Sequence, residues 1–209
     1  MGKHSRLAKW LGAALLVIWA ALAIHPLFRQ DWLLENMLVF VSVPLIVRFG
    51  PGLKFSDATY ICMFVFFVLH LIGAHYTYAE VPYAHWYSSL TGRSFAADFH
   101  VERNHYDRLI HFAYGLLMAR ATIELLAARA PPSGIWRWLL PVLFLSSHSV
   151  IYEVIEMFAA LVFGGNLGVA YLGTQGDVWD AQKDMVFAMV GAAIGVTVWL
   201  LAMRRAKVE

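Results

Sequence analysis

Long apolar stretches separated by short polar ones occupy most of the chain, and this pattern predicts its elements. A helix that crosses a bilayer needs about 20 mostly apolar residues. Six stretches approach that length and predict transmembrane helices near residues 8–27, 33–50, 58–76, 108–127, 135–163 and 185–203. We therefore expect an all-α polytopic membrane helix bundle, with residues 1–209 forming a single transmembrane domain.

The first apolar stretch has features of both a signal peptide and a membrane anchor. It follows the basic residues Lys3, Arg6 and Lys9, as the core of a secretory signal does. Its apolar run is longer than the roughly 7–15 residues of a typical signal core. We therefore expect it to remain in the protein as the first membrane helix.

The composition supports a membrane location. Hydrophobic residues make up 60% of the chain and charged residues only 14%, whereas about a quarter of the residues in a soluble domain are charged. The formal net charge of +2 gives no reason to expect a nucleic-acid partner. Cys62 is the one cysteine of the sequence, so no internal disulfide can form.

The positions of Lys and Arg predict the orientation. If the N-terminus is inside, only five of the 16 basic residues fall in outside segments: Arg29, Arg93, Arg103, Arg108 and Lys183. The positive-inside rule therefore predicts that both termini are cytoplasmic, in a multi-pass protein of the bacterial inner membrane. The two large outer loops, residues 77–107 and 164–184, carry most of the unusual polar residues.

Ionisable residues occur within or next to four of the predicted spans, all toward the outer half. Each such group at membrane depth costs roughly 2.5–3.5 kcal/mol on insertion scales, so it usually faces the bundle interior and is paired or bound to a metal. The spacing of Asp177, Asp180 and Asp184 places them on one helical face. Because short loops favour neighbouring helices, we expect these groups to converge on one cavity that opens outward.

Imidazole and carboxylate groups together form a reasonable ligand set for Zn²⁺, Mn²⁺ or iron. The predicted metal ligands are His70, His111, Glu153, Glu156, Asp180 and Asp184. No established soluble metal motif such as H-E-x-x-H is present, so this prediction rests on the convergence of rare residues.

The same residues suggest a reaction. A metal-bound water can attack an ester or phosphoester near neutral pH, and additional buried carboxyls can act as general acid or base. The predicted catalytic residues are Glu153, Glu156, His111 and Asp107, with Asp107 orienting the His111 ring. The predicted substrate-binding residues are Arg103, Arg108, Tyr114 and Gln175, in which the arginines would hold an anionic head group.

Several polar residues also have a purely structural interpretation. Asp107 can form an ion pair with Arg103 or Arg108, and Glu124 with Arg120 or Arg129. The outer loop 77–107 is rich in Tyr and Trp, which is typical of an interfacial aromatic belt and secondarily of a lid. Gly191 and Gly195 form a G-x-x-x-G pattern, which favours close helix packing.

Four motifs, "HLIGAHYTYAEVP", "ERNHYDRLIHFAYG", "YEVIEMF" and "LGTQGDVWDAQKDM", resemble the YjdF-type bacterial inner-membrane proteins, a family of unknown function. This resemblance covers residues 30–200 and implies a topology and a location, but no activity.

A wider resemblance is to VanZ-like membrane proteins, which carry Asp, His and an aromatic residue at the start of one helix, Glu in the next, and Asp-x-x-x-Asn-x-x-Gly in another. The corresponding residues are Asp107, His111, Phe112 and Tyr114, then Glu153 or Glu156, then Asp184 and Gly191. Ala188 stands where Asn is expected, and Asp180 can compensate from the preceding turn. The likeness implies a role in the cell envelope.

The leading hypothesis is a metal-assisted membrane hydrolase or transferase. It would act from the outer side on a lipid-linked small molecule or an envelope substrate, with membrane lipid as a partner. Two alternatives use the same residues. One is a non-enzymatic protein that binds or transports a metal or protons, and the other is a structural envelope factor. The substrate, the metal and the oligomeric state stay open.

Overall fold

The computed structural model describes residues 5–101 and 103–205. These residues form helices and no strands, which confirms the all-α class. The helices are α1 Arg6–Leu22, α2 Arg29–Leu53, α3 Asp57–Tyr76, α4 Tyr83–Thr91, α5 Phe95–Phe99, α6 Tyr106–Arg129, α7 Trp136–Phe163, α8 Gly165–Leu172 and α9 Asp180–Arg205. Lys3 and Lys207, which entered the predicted orientation, lie outside the described residues.

Five of the described helices, α2, α3, α6, α7 and α9, are long and apolar enough to cross a membrane. They correspond to the second to sixth predicted spans. The first predicted span corresponds to α1, which has 17 residues and is therefore shorter than the usual length of about 20. The crossing of the membrane by α1 stays a prediction.

The second span is longer than its apolar stretch suggested. Helix α2 begins at Arg29, and Asp31 lies in its first turn, where a carboxylate interacts favourably with the helix dipole. The helix continues through Pro44 and ends after Leu53, where Lys54 adopts a left-handed conformation. The start at Arg29 therefore adds a polar first turn, which contains Asp31, to this helix.

Helices α6 and α9 form the closest pair in the bundle. A Cβ atom on Gly191 would lie 2.1 Å from the carbonyl oxygen of Phe112, and one on Gly195 would lie 2.5 Å from that of Leu116. No side chain fits at such distances, so both glycines are required for the approach of the two backbones. The predicted packing role of the G-x-x-x-G pattern is confirmed.

The other helices surround this pair. Helix α7 packs against α9 and α6, and α3 packs against α6 on the opposite side and also contacts α1 and α2. Buried aromatic and aliphatic side chains of α3, among them Phe66, Phe67 and Leu71, fill the core between α3 and α6. The packing brings together the end of α3 and the starts of α2, α6 and α9, and we call this the polar end of the bundle.

The two large predicted outer loops contain short helices. Residues 77–107 include α4 and α5, whose rings pack together through Tyr83, Tyr87, Phe95 and Phe99. Residues 164–184 include α8, which packs against α7 and α2. Helices of 5 to 9 residues are too short to give a clear periodic signal in the sequence. Both segments lie at the polar end.

Candidate functional site

The polar end has a core of buried ionisable side chains, which is unusual for a helix bundle this apolar. They come from five of the long helices: Asp31 and Glu35 on α2, His70 on α3, His111 on α6, Glu153 and Glu156 on α7, and Asp180 and Asp184 on α9. The structure therefore brings the predicted ligands to the same end of the bundle and adds two acids that the sequence analysis had not selected.

Three carboxylates lie close enough to hold one cation. Asp107, Asp180 and Asp184 each offer an oxygen, and these oxygens all lie within 4.8 Å of one another. We call them the carboxylate triad. Asp180 and Asp184 are one helical turn apart on α9, and Asp107 faces them from the first turn of α6. Among the described residues, this is the only group of three or more His, Cys, Asp or Glu side chains whose ligand atoms lie this close together. The other predicted metal ligands therefore lie outside the triad.

His111 connects the triad with α7. Its Nε2 atom lies 3.6 Å from Oδ1 of Asp107 and 3.4 Å from Oε1 of Glu153, while its Nδ1 atom is 3.4 Å from the Ser149 hydroxyl. Nε2 carries at most one proton, so it can donate to only one of the two carboxylates. Oε1 of Glu153 has no hydrogen-bond partner, although it is buried. His111 thus lies between an orphaned carboxylate and the triad.

Two arginines neutralise the rim of the triad. Arg108 contacts Asp177 at 2.7 Å and Asp180 at 3.0 Å, and Arg103 contacts the same two acids at 3.3 and 2.9 Å. We call these four residues the arginine clasp. The Lys183 ammonium, the backbone N–H of Trp179 and Arg108 hold the pKa of Asp177 well below its usual range. The clasp ties the start of α6 to the start of α9.

The ion pair expected between Asp107 and Arg103 or Arg108 is replaced by the clasp. Sequence spacing favoured Asp107 because it is four residues from Arg103 on a potential helix. The helix begins only at Tyr106, so Arg103 lies before it and reaches across to α9 instead. Glu124, in contrast, does accept from Arg120 at 3.0 Å, as one of its two expected pairings predicted.

His70 is engaged away from the triad. Its Nε2 atom lies 3.1 Å from the backbone carbonyl oxygen of Glu35, and its Nδ1 atom contacts the Tyr78 hydroxyl. Burial, together with the carboxyls of Glu35 and Asp107, raises the pKa of Tyr78 well above its ordinary value. Both ring nitrogens of His70 are occupied in this arrangement, so the structure does not present it as a metal ligand.

Three further residues predicted for the site, Gln175, Tyr114 and Glu156, lie at different places around it. Gln175 exchanges hydrogen bonds with the backbone of Asn104, at 3.0 and 2.9 Å, and so joins the two outer segments. Tyr114 packs edge-on against Phe66 and lines a cavity. Glu156 is buried and lies near Tyr171, whose pKa is raised by burial and by the carboxyls of Glu35 and Glu156.

Asp31 and Glu35 were missed by the sequence analysis. Glu35 accepts a hydrogen bond of 3.1 Å from Tyr152, whereas both carboxyl oxygens of Asp31 are buried without a partner. The sequence feature that could have identified both acids is their spacing of four residues at the start of an apolar stretch. Asp31 was assigned to a short loop, because the helix was expected to begin at residue 33.

A cavity of about 700 Å³ lies between α2, α3, α6 and α7. Asp107, His111 and Tyr152 line it at the polar end, and Arg129 lines it at the other end of α6. Most of the lining between these ends is aliphatic or aromatic. The cavity is therefore continuous with the polar site through Asp107, which belongs to both.

Sequence comparison places the chain in a family. Residues 7–206 match the family described as "Predicted membrane protein (DUF2238)". The chain belongs to this family. It is also 32% identical over 185 residues to the "Inner membrane protein YjdF" of Escherichia coli (strain K12), an alignment that covers 87% of this chain and 82% of that protein. No solved structure matches the chain.

Membership confirms the resemblance to YjdF-type proteins. Together with the five candidate spans, it makes this DUF2238 member a multi-pass protein of the inner membrane. Ala188, which stands where the VanZ-like pattern has Asn, is fully buried, and a Cβ atom on Gly115 would lie 2.0 Å from its carbonyl oxygen.

Proposed function

We propose that the protein binds one divalent cation at the carboxylate triad and uses it in hydrolysis or group transfer on a lipid-linked or envelope substrate. The observation that carries the proposal is the convergence of three carboxylate oxygens whose charge is only partly neutralised. Oδ2 of Asp180 and Oδ1 of Asp184 are buried without hydrogen-bond partners. A buried carboxylate without a partner is costly, and a cation between these oxygens removes that cost.

The ligand chemistry selects the kind of cation. Carboxylate oxygens suit Mg²⁺, Mn²⁺ and Ca²⁺, whereas Zn²⁺ and iron usually require imidazole or thiolate as well. His111 lies 3.6 Å from Asp107 and supplies an imidazole after a small side-chain movement. Mn²⁺ accepts both oxygen and nitrogen ligands, so it is the preferred candidate among Zn²⁺, Mn²⁺ and iron.

The surroundings of the triad suggest how the reaction proceeds. A divalent cation polarises an ester or phosphoryl oxygen and makes a bound water more acidic. Glu153 has a buried oxygen without a hydrogen-bond partner, 3.4 Å from the same Nε2 atom of His111 that faces Asp107, and is suited to accept a proton directly. This assigns general-base work to Glu153, and leaves Asp107 to bind the cation and orient His111.

We further propose that α1 crosses the membrane, so that six spans place both termini in the cytoplasm. Its 17 residues extend about 26 Å, close to the roughly 30 Å of the hydrocarbon core. Trp19 of α1 donates a hydrogen bond of 2.7 Å to Asn36 of α2, and α1 packs along α3. Periplasmic and cytoplasmic reporters fused before α1 and after α9 test this: both fusions should report the cytoplasm.

Transport of a metal or of protons is the alternative. It requires polar groups that continue from the triad to the cytoplasmic side. Glu124, toward that side, is held by Ser56, Thr59 and Arg120, and the cavity between is mostly apolar. These contacts favour a site that is reached from one side of the membrane.

Elemental analysis of the purified full chain, stripped with a chelator and then supplied with Mn²⁺, tests the proposed function. The wild type should retain about one ion per chain, and Asp184→Asn should lose it because the triad then lacks a charged ligand. Asp31→Asn is the matched control, since Asp31 is equally buried but lies outside the triad. It should keep the ion.

Two results would contradict the proposal. One is a wild type without metal after supplementation with Mn²⁺ and Zn²⁺. The other is equal loss of metal from Asp184→Asn and Asp31→Asn, which would indicate diffuse binding by acids instead of a triad. Melting curves of each variant separate loss of a ligand from loss of the fold.

A further inference from the structure

The cavity beside the triad is an open cleft between α2 and α7. The backbones of α2 and α7 are not packed against each other along their described lengths. Several residues that line the cavity are also about half exposed on the outer surface of the bundle: Leu45, Phe49, Ile151 and Ile155. The cavity therefore opens sideways through the gap between the two helices, toward the bilayer. We call it the lateral cleft.

The lateral cleft runs almost the whole length of the bundle. Its lining on α6 extends from Asp107 to Arg129, a distance of about 33 Å along the helix. This is comparable to the roughly 30 Å hydrocarbon thickness of a bilayer. Ser42, Thr122, His148 and Ser149 are polar residues between the two ends, and Thr122 donates its hydroxyl hydrogen to the carbonyl of Met118. A long apolar chain meets few unpaired polar groups there.

The volume of the cleft suits a single lipid chain. The cleft holds about 700 Å³, which is in the range of pockets for single small ligands, roughly 300–1,000 Å³. A hydrocarbon chain fits this space, whereas docking of a helix from a second copy would show as dimers crosslinked through the cleft.

The polar end of the cleft determines which lipid binds. A chain that leaves the bilayer for an apolar cleft exchanges one apolar surrounding for another, so the hydrophobic effect supplies little selectivity. Selectivity must come from the head group, which reaches Asp107, His111 and Tyr152. These residues are acidic or neutral, and the nearby Arg103 and Arg108 are already paired with Asp177 and Asp180. An anionic head therefore binds there only together with a cation.

We propose that the lateral cleft holds the hydrocarbon chain of a membrane lipid and that the phosphate head of this lipid lies at Asp107 and His111, beside the cation. Mg²⁺ and similar ions in proteins are commonly bound by one or two carboxylates and by substrate phosphates. The head-group part rests on the proposed function and makes a lipid phosphate its substrate class. The position of the chain rests on the cleft alone.

Photolabelling of the full chain in phosphatidylethanolamine and phosphatidylglycerol vesicles tests this proposal. The probe is phosphatidic acid with a diazirine in the middle of one chain, supplied with Mn²⁺, and the labelled peptides are identified by mass spectrometry. Label should concentrate on the cleft-facing residues of α2 and α7. Leu45→Trp with Ile151→Trp, which narrows the opening from both sides, should reduce cleft labelling about tenfold, equivalent to about 1.4 kcal/mol.

Val41→Trp with Val150→Trp is the matched control. Both valines are exposed on the same two helices, and neither lines the cleft. The control should label like the wild type. Label spread evenly over all lipid-facing helices and equal in the two double variants would overturn the chain's position. Crosslinked dimers joined through the cleft would also overturn it.

A diacylglycerol probe separates the head group from the chain. Cleft labelling by phosphatidic acid should rise with Mn²⁺ and fall with a chelator, while labelling by diacylglycerol should respond to neither. Equal responses of the two probes would overturn the phosphate assignment. If the elemental analysis finds no metal but the cleft labels specifically, the proposed function fails and the chain's position stands. If the protein binds the metal but the cleft is not labelled specifically, the proposed function stands and the position of the chain is wrong.

Discussion

A Cβ atom on Gly115 would lie 2.0 Å from the carbonyl oxygen of Ala188, so the backbones of α6 and α9 meet directly at this pair. Asp107 lies two turns before Gly115 on α6, and Asp184 lies one turn before Ala188 on α9. The close contact therefore sets the separation of the two carboxylates. The geometry of the triad depends on a glycine that itself takes no part in binding.

Gly115→Ala should destabilise the protein and weaken Mn²⁺ binding together, because the added methyl group pushes α6 away from α9. Overpacking of this kind costs about 1–3 kcal/mol. Gly12→Ala is the control: it lies in α1 with nothing near its Cβ position, so it should be neutral or stabilising by up to about 1 kcal/mol. Melting curves and Mn²⁺ retention measure both effects. Equal behaviour of the two variants would contradict the packing argument.

Removal of Arg108 should cost much more stability than removal of Arg93. The Arg108 side chain is 12% exposed and contacts two acids, whereas Arg93 is 68% exposed and contacts Asp98. Breaking a buried pair costs about 3–5 kcal/mol, and an exposed pair contributes about 0–1 kcal/mol. Arg108→Gln should lower the free energy of unfolding by an amount between the exposed-pair and the buried-pair values. Arg93→Gln should lower it by close to zero, and unfolding curves measure both losses. Similar losses in both would show that the clasp is not structural.

The clasp should also weaken in acid. The pKa of Asp177 is held below its model-peptide value of 3.8, and a group with a depressed native pKa stabilises the fold above its unfolded pKa and loses that contribution as pH falls through the native one. The stability difference between wild type and Asp177→Asn should therefore be constant above about pH 4 and shrink below it. Melting temperatures across the acid range measure this. A difference that grows on acidification would contradict it.

Glu153→Gln combined with Glu156→Gln distinguishes a functional from a structural role of the buried acids. Both side chains are buried, and neither belongs to the triad. If the cation account is correct, neutral amides remove unfavourable buried charge, so the metal-free variant should be at least as stable as the wild type and still bind Mn²⁺. A marked loss of thermal stability with no effect on any ligand would support the structural interpretation.

Much of the site was predictable because ionisable residues inside apolar stretches are visible in one dimension. Their cost at membrane depth alone indicated that His111, Glu153 and Asp184 face a common interior. Asp31 was not predicted as a site residue, because the helix start at Arg29 lies within a segment that was assigned to a loop.

Other features depend on three-dimensional pairing. Arg103 and Arg108 find partners about 70 residues away, which sequence spacing cannot indicate. The lateral cleft results from the separation of α2 and α7, two helices that have no direct connection in the chain. Asp107 belongs to the triad because α6 packs against α9, whereas His70 is held away from it by its contacts with Tyr78 and the Glu35 carbonyl.

The most direct test of the central claim is a titration of the chelator-stripped protein with Mn²⁺, in which the electron paramagnetic resonance signal reports the free ion. The account predicts that the wild type and the Asp31→Asn control each take up about one ion per chain, while Asp180→Asn with Asp184→Asn takes up none, because the triad then keeps only one carboxylate. A wild type that leaves all added Mn²⁺ free, or a triad variant that binds as the control does, would contradict it.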